Sequence, residues 1–343
     1  MRTAELIAPL TFRMGDMPID DPAPGEVQVR IEAVGVCGSD LHAYSEGAVG
    51  SSANVYPMVL GHEPAGVIVK TGAGVTGMAV GDRGALEPAL YCYHCEFCRS
   101  GRHNVCANIR FLSNPHYPGF FREFVNLPAA NFFPIPEAMA FEEAALAEPL
   151  AVALHSVGLV SIAAGETVAV IGAGPIGLLT IAALRAAGAA RIWAVEPLAH
   201  RRELARRLGA HAALEPAEAA AEILTATGQR GVDCAMDCAA GEETTNQAIH
   251  LTRNAGRVAI TGIHSTLNVS MDGSAMRRKE LTIFNVRRSN HETGEALELL
   301  EAHGDWFRPL LTHTRDLEHV GEAFAIASQY RDGVGKMTVR PRP

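Results

Sequence analysis

The stretch CYHCEFCRSGRHNVC, from Cys92 to Cys106, gathers four of the chain's seven cysteines. Its spacing, C-x2-C-x2-C-x7-C, sets three thiolates on tight turns and returns a fourth to close a tetrahedron, the geometry in which zinc holds sulfur at about 2.3 Å. Four exposed, reduced thiols without a metal would oxidise readily and gain no packing. Cys92, Cys95, Cys98 and Cys106 therefore read as a structural zinc site. His94 and His103 lie in the same lobe as bystanders, because four thiolates fill the shell. The flanking loop has few apolar residues, so the metal supplies much of its order.

A second group of reactive types comes earlier. VGVCGSDLHAY supplies Cys37, Ser39, Asp40 and His42, and VLGHEPAG supplies His62 and Glu63. Cysteine, histidine and glutamate together suit zinc, and a shell with only three protein ligands leaves a position for substrate. Taken singly, each has a plainer account: Cys37 as a small buried residue, His62 as a satisfied core histidine, Glu63 as a surface carboxylate.

The third group is VAVIGAGPIG, with Gly172, Gly174 and Gly177 in a GxGxxG and Pro175 and Ile176 between the last two glycines. It follows four β-compatible residues and opens a helix, so backbone N–H groups and a helix N-terminus face a pyrophosphate. The next strand ends at Glu196. A carboxylate there accepts hydrogen bonds from both ribose hydroxyls of the adenosine and repels a 2'-phosphate, which favours NAD over NADP. Arg201 and Arg202 lie close by, to accommodate a phosphate, contact adenine, or cover the helix surface.

Positioning these groups takes three zones. EVQVRIEAVGV alternates apolar and polar positions, and AGVIVKTGAGVTGMAVGDR carries β-branched runs broken by glycine, so the first zone is β-rich. From about Ala144 strands and helices alternate, the rhythm of a doubly wound parallel sheet. Cys234 and Cys238, in VDCAMDC, are small buried residues of that sheet. The residues from about Arg287 are too few to fold alone and return to the first zone. The expected domains are 1–145 with 287–343, carrying a zinc lobe at about 90–108, and 146–286. With 343 residues, 29 Lys plus Arg against 38 Asp plus Glu and a net charge of -9, the chain suits neither nucleic acid nor an anionic membrane. MRTAELIAPLTFR has no apolar signal core, and Glu148, Pro149, His155, Glu166 and Arg185 interrupt the most apolar region short of a membrane span. The expectation is a soluble, cytoplasmic protein whose thiols stay reduced.

Six segments together resemble the zinc-containing medium-chain alcohol dehydrogenases, most closely their sorbitol or polyol dehydrogenase branch. In family order these are GVCGSDLH, GHEPAGVIVKTGAGVTGMAVGDR, the four-cysteine lobe, EPLAVALHSV, VIGAGPIGLL and GVGKMTV. The resemblance covers nearly the whole chain. It implies a GroES-like β-rich catalytic domain from the first and last zones, a Rossmann NAD-binding domain between them, and an active site in the cleft. It implies that Cys37 and His62 hold a catalytic zinc, with either Glu63 or Glu148 of LAEPLA completing the shell. Ser39 then sits against the substrate oxygen and His42 passes its proton outward, while Asp40 orients the loop and His155 packs at the start of the Rossmann domain. By analogy, the peptide of Thr261, Gly262 and Ile263 meets the nicotinamide. Two zinc ions per chain, NAD, a small-molecule substrate and a homo-oligomer, dimer or tetramer, complete the implication.

The activity so implied is hydride transfer between a secondary alcohol or polyol and NAD. Sugar-acid (aldonate) and L-threonine dehydrogenase stay open within the family. A catalytically silent NAD-binding protein is the reading from another class, and it would need metal ligands to be missing that are all present. Two departures stand out. Tyr93 occupies a place where many relatives carry Gly, which alters only the turn. In NVRRSN, Arg287 aligns with an arginine of polyol dehydrogenases, but Arg288 replaces an aromatic. A guanidinium there favours a substrate with a carboxylate or several hydroxyls, unless it turns to solvent.

Overall fold

The computed structural model describes residues 1–342. Pro343, the last residue of the 287–343 segment, lies outside the described residues. The chain divides into two units. One comprises Met1–Pro149, Thr293–Gly304 and Leu311–Pro343, the other Leu150–Glu292 and Asp305–Leu310.

The first unit is built on the strand Glu26–Gly35, which is central because its apolar positions are buried almost end to end. It pairs antiparallel with Glu63–Thr71, Phe124–Pro128 and Lys336–Arg340, the last of which brings Leu311–Asp316 into the same seven-stranded sheet. Val29, Ile31, Ile68, Leu86, Phe121 and Phe324 pack in one core cluster. Two registers matter for the chemistry: Gly35 lies opposite Glu63, and Thr338 lies opposite Gly35. The start of the last strand is thereby set beside residues from the start of the chain.

The second unit holds the doubly wound sheet expected from the alternating texture. Its six parallel strands run in the order Ala212–Leu214, Arg191–Val195, Thr167–Ile171, Val232–Asp237, Thr252–Ile260, Thr282–Asn285. Strand order reverses between Thr167–Ile171 and Val232–Asp237, and in such sheets the crevice at that reversal takes the dinucleotide. Val232–Asp237 is buried along its whole length, as a central parallel strand must be. Cys234 and Cys238 are buried with it, and burial pushes both thiols up to about 12, leaving them inert.

One expectation fails. The charged residues do not keep the most apolar region below membrane-spanning length, since Phe141–Val160 is helical, long and apolar enough to cross a membrane by length and composition. Most of that run is buried inside the chain, and the same segment carries the buried Glu143 and Glu148, so it is a core helix.

Candidate active site

Cys37 stands at the end of the strand Glu26–Gly35 and caps the helix Gly38–Glu46. His62 follows Gly61, whose φ of 90° turns the chain into the strand Glu63–Thr71. Ligand atoms of Cys37, His62 and Glu63 all lie within 4.8 Å of one another. The organiser of this group is Asp40, which is buried. Its Oδ2 accepts from the Cys37 N–H at 3.1 Å, and its Oδ1 from the Gly61 N–H at 3.1 Å and the Ser113 hydroxyl at 3.2 Å. That same Oδ1 lies 3.3 Å from His62 Nδ1. Asp40 thus joins the two ligand loops and orients the imidazole, leaving Nε2 for a metal. Nε2 is also 3.3 Å from the Ser39 hydroxyl. Burial opposes a charged imidazole, but Asp40 and Cys37 outweigh it and raise the His62 pKa well above its usual value.

Glu63 is completely buried, and its Oε1 finds no hydrogen-bond donor. Its Oε2 has an ion pair with the buried ammonium of Lys336, from the first position of the last strand. Burial works against that ammonium, while Glu63 and Cys37 outweigh it and raise its pKa. Gly35 makes the arrangement possible, because a Cβ there would lie 1.9 Å from Glu63 Oε2 and 3.0 Å from Lys336 Cε. A fully buried carboxylate with an oxygen lacking a donor, beside a thiol and an imidazole, is a donor set that fits zinc. Glu148 stands outside the three-residue group but is buried close enough to feel its charges. Burial pushes its carboxyl up to about 8, with Glu63 and Glu87 adding to the effect and His62 and Lys336 opposing it.

The four-cysteine lobe closes as its spacing implies. Cys92 Sγ lies 3.5 Å from Cys106 Sγ and 4.0 Å from Cys98 Sγ, and Cys95 Sγ lies 4.0 Å from Cys106 Sγ. A zinc–thiolate tetrahedron has edges of about 3.8 Å. The thiols are unequal: the His94 backbone N–H holds Cys92 down to about 5, while burial and its sulfur neighbours push Cys98 up to about 12. Four thiolates at this spacing call for a cation between them. Tyr93 has φ 57°, in the left-handed region where glycine is at home, and its ring packs against Tyr91 and His103.

On the second unit, Gly172 has φ 89°, and a Cβ on Gly177 would lie 1.9 Å from the Gly172 carbonyl oxygen. Only glycine lets strand and helix meet this closely. Gly174 caps the helix Pro175–Ala186, with Pro175 in its first turn and Ile176 behind it. Glu196 directly follows the strand Arg191–Val195, which ends one residue before the expected strand end, and is buried; its carboxylate accepts from the Ala173 N–H at 2.8 Å and the Leu198 N–H at 2.9 Å. The carboxylate expected at the ribose is therefore a brace for the glycine turn. Arg201 is buried, with Nη1 at 3.7 Å from where a Gly174 Cβ would be. Arg202 is engaged elsewhere, donating to the carbonyls of Glu196 and Pro197 and to Glu215. Thr261 hydrogen-bonds Ser156 at 2.7 Å, the Thr261 and Gly262 N–H groups donate to the Asp237 carbonyl, and Ile263 is exposed.

The first unit thus gathers Cys37, Ser39, His62, Glu63 and Glu148, and the second carries the glycine turn, Glu196, Arg201 and the Thr261 peptide. Arg287, exposed, and Arg288, half-buried at φ 53°, also belong to the second unit. His155 pairs with Glu292 at 2.8 Å. Lys336 and Gly35 had no signal in local spacing, and Asp40 had one only as an orienting residue.

Residues 23–137 match the alcohol dehydrogenase GroES-like domain, and residues 175–302 match the zinc-binding dehydrogenase family. Sorbitol dehydrogenase of Bacillus subtilis is 34% identical over 99% of this chain and 97% of its own. Among solved structures, 2R,3R-butanediol dehydrogenase of Bacillus subtilis is similar with a TM-score of 0.89, 30% identity and 99% of each chain covered. An alcohol dehydrogenase of Escherichia coli, solved with NADH, has a TM-score of 0.90, 30% identity and 99% of each chain covered.

Proposed function

Since the chain belongs to the zinc-containing medium-chain alcohol dehydrogenases, in their polyol dehydrogenase branch, we infer that it transfers hydride between a secondary alcohol or polyol and NAD. It does so with two zinc ions, one catalytic and one structural. The observation that carries this reading is the buried trio of Cys37, His62 and Glu63, with Asp40 aligning the imidazole and a Glu63 oxygen lacking any donor. We assign Cys37, His62 and Glu63 to the catalytic zinc, with Glu148 as the ligand that exchanges with Glu63. Cys92, Cys95, Cys98 and Cys106 hold the structural zinc.

When bound, zinc polarises the alcohol oxygen and NAD accepts the hydride. The protein's own work is to bind, orient and move a proton. Ser39, beside His62 Nε2, receives the hydroxyl proton, and His42 carries it outward. Gly172, Gly174, Pro175, Ile176 and Gly177 form the pyrophosphate turn; Glu196 takes the ribose hydroxyls, Arg201 the adenosine side, and Thr261, Gly262 and Ile263 the nicotinamide side. Arg287 and Arg288 form part of the substrate wall. The half-burial of Arg288 favours a second reading, a sugar acid in place of a neutral polyol. The seven free cysteines support a reducing, cytoplasmic setting, and the partly exposed edge strand Thr282–Asn285 supports a homo-oligomer.

A panel of sorbitol, xylitol, 2,3-butanediol, aldonates and L-threonine with NAD, followed at 340 nm, tests the reading. Oxidation of a polyol or diol, with two zinc ions per chain by elemental analysis, supports it; one zinc in active protein, or no oxidation of any alcohol, refutes it. Preference for aldonates that disappears in Arg288→Tyr would establish the second reading.

A further inference from the structure

Ser39, His42 and Glu46 occupy positions i, i+3 and i+7 of the helix Gly38–Glu46, so they lie along one stripe of it. The stripe runs outward. Ser39 is at the metal end, 3.3 Å from His62 Nε2; the His42 side chain is 25% exposed, and that of Glu46 is 43% exposed. His42 Nδ1 lies 2.7 Å from Glu46 Oε1. An ionised carboxylate only accepts hydrogen bonds, so this contact places the proton of the neutral imidazole on Nδ1 and leaves a bare lone pair on Nε2.

We propose that Glu46 is a positioning residue for proton transfer, holding His42 as the Nδ1–H tautomer so that Nε2 is the acceptor for the substrate's proton. The inference rests on the dehydrogenase reading above and adds a member to its machinery. In the oxidation the carbinol carbon gives a hydride to NAD and the hydroxyl gives a proton. That proton passes through Ser39, directly or over a bridging hydroxyl or water, to form an N–H bond at His42 Nε2. The imidazolium then releases a proton to solvent at the exposed end of the stripe, with Glu46 compensating the transient charge.

Helix stability does not explain the residue. Glu46 is the last residue of its helix, where a carboxylate opposes the helix dipole, and no basic residue occupies the last turn. The order, base before acid at i and i+4, is the weaker of the two for a helical pair. An exposed pair of this kind contributes little to folding.

Nitrogen-15 NMR of the imidazoles in the zinc-loaded protein without NAD or substrate reads the tautomer directly, with His42→Gln assigning the signal. Wild type should show Nδ1–H, and Glu46→Leu should show a mixture or Nε2–H. Glu46→Gln, whose amide oxygen still accepts a hydrogen bond, should keep the wild-type tautomer. The turnover number for alcohol oxidation should fall roughly fivefold in Glu46→Leu, the scale of one modest hydrogen bond, with KM for NAD unchanged and most of the rate kept in Glu46→Gln. An Nε2–H imidazole in wild type, or a tautomer indifferent to Glu46→Leu, overturns the proposal. Because the tautomer is read without turnover, a wild type inactive on every alcohol refutes the dehydrogenase reading separately.

Discussion

A single buried ion pair shows how much one residue can decide at this site. Glu63 and Lys336 are both buried, and each is the other's compensating charge. Lys336→Met should leave a buried carboxylate unpaired and cost about 3 to 5 kcal/mol, whereas Lys336→Met with Glu63→Met should recover most of that loss. Equilibrium denaturation of the three variants checks this, and equal losses in single and double variants would show that the pair is not the source. Glu196 braces the Ala173 N–H and, in the function proposed above, also faces the ribose. Glu196→Ser should shift cofactor preference from NAD toward NADP while also weakening total nucleotide affinity, because the brace is lost. Isothermal titration with both nucleotides separates the two effects. The motif residues were legible in sequence because their spacing is local: the glycine turn spans six residues, the four cysteines fifteen, and Cys37 with Asp40 four. Lys336 was not, since its role exists only through strand register across nearly the whole sequence.

At the scale of elements, the parallel sheet is pinned at the amino ends of its strands. Asp233, near the start of Val232–Asp237, accepts from the Thr167 N–H at 2.9 Å and its hydroxyl at 2.8 Å, and pairs with Arg230 and with Arg253 at 2.7 Å. Burial alone would raise its pKa, but Arg230, the Thr167 N–H and Arg253 outweigh it and hold the carboxyl well below the usual range. A group depressed in the folded state stabilises it above the ordinary carboxylate pKa of about 3.9 and loses that contribution as pH falls through the lower, folded value. Asp233→Asn should therefore cost about 1 to 2 kcal/mol at pH 6, after allowance for solvent screening, and the gap to wild type should narrow below about pH 4. Urea denaturation at several pH values checks the sign. The alternating texture announced these strands, yet the same apolar signal misjudged Phe141–Val160. Charged residues interrupt a run in sequence, but a helix can turn Glu148 inward toward other charges and still bury its apolar faces.

Across the whole molecule, charge is burdensome where no partner meets it. Arg122 is 9% exposed, and its guanidinium touches the Pro118 carbonyl at 3.2 Å and Met17 Sδ at 3.9 Å, with Nε unpartnered; burial pulls its pKa down to about 10. Arg122→Met should keep the shape and raise stability by about 1 kcal/mol, measured by chemical denaturation. A large loss would mean that the guanidinium is satisfied in a way its contacts do not reveal. The two zinc centres differ in the same respect. At the Glu63 site, Lys336 serves as a placeholder cation, so that corner of the sheet can assemble and wait, preformed, for its metal. The four-thiol lobe has no such cation among the described residues, so its order depends on the metal itself, and stripping both metals should loosen the lobe while leaving the corner around Glu63 folded.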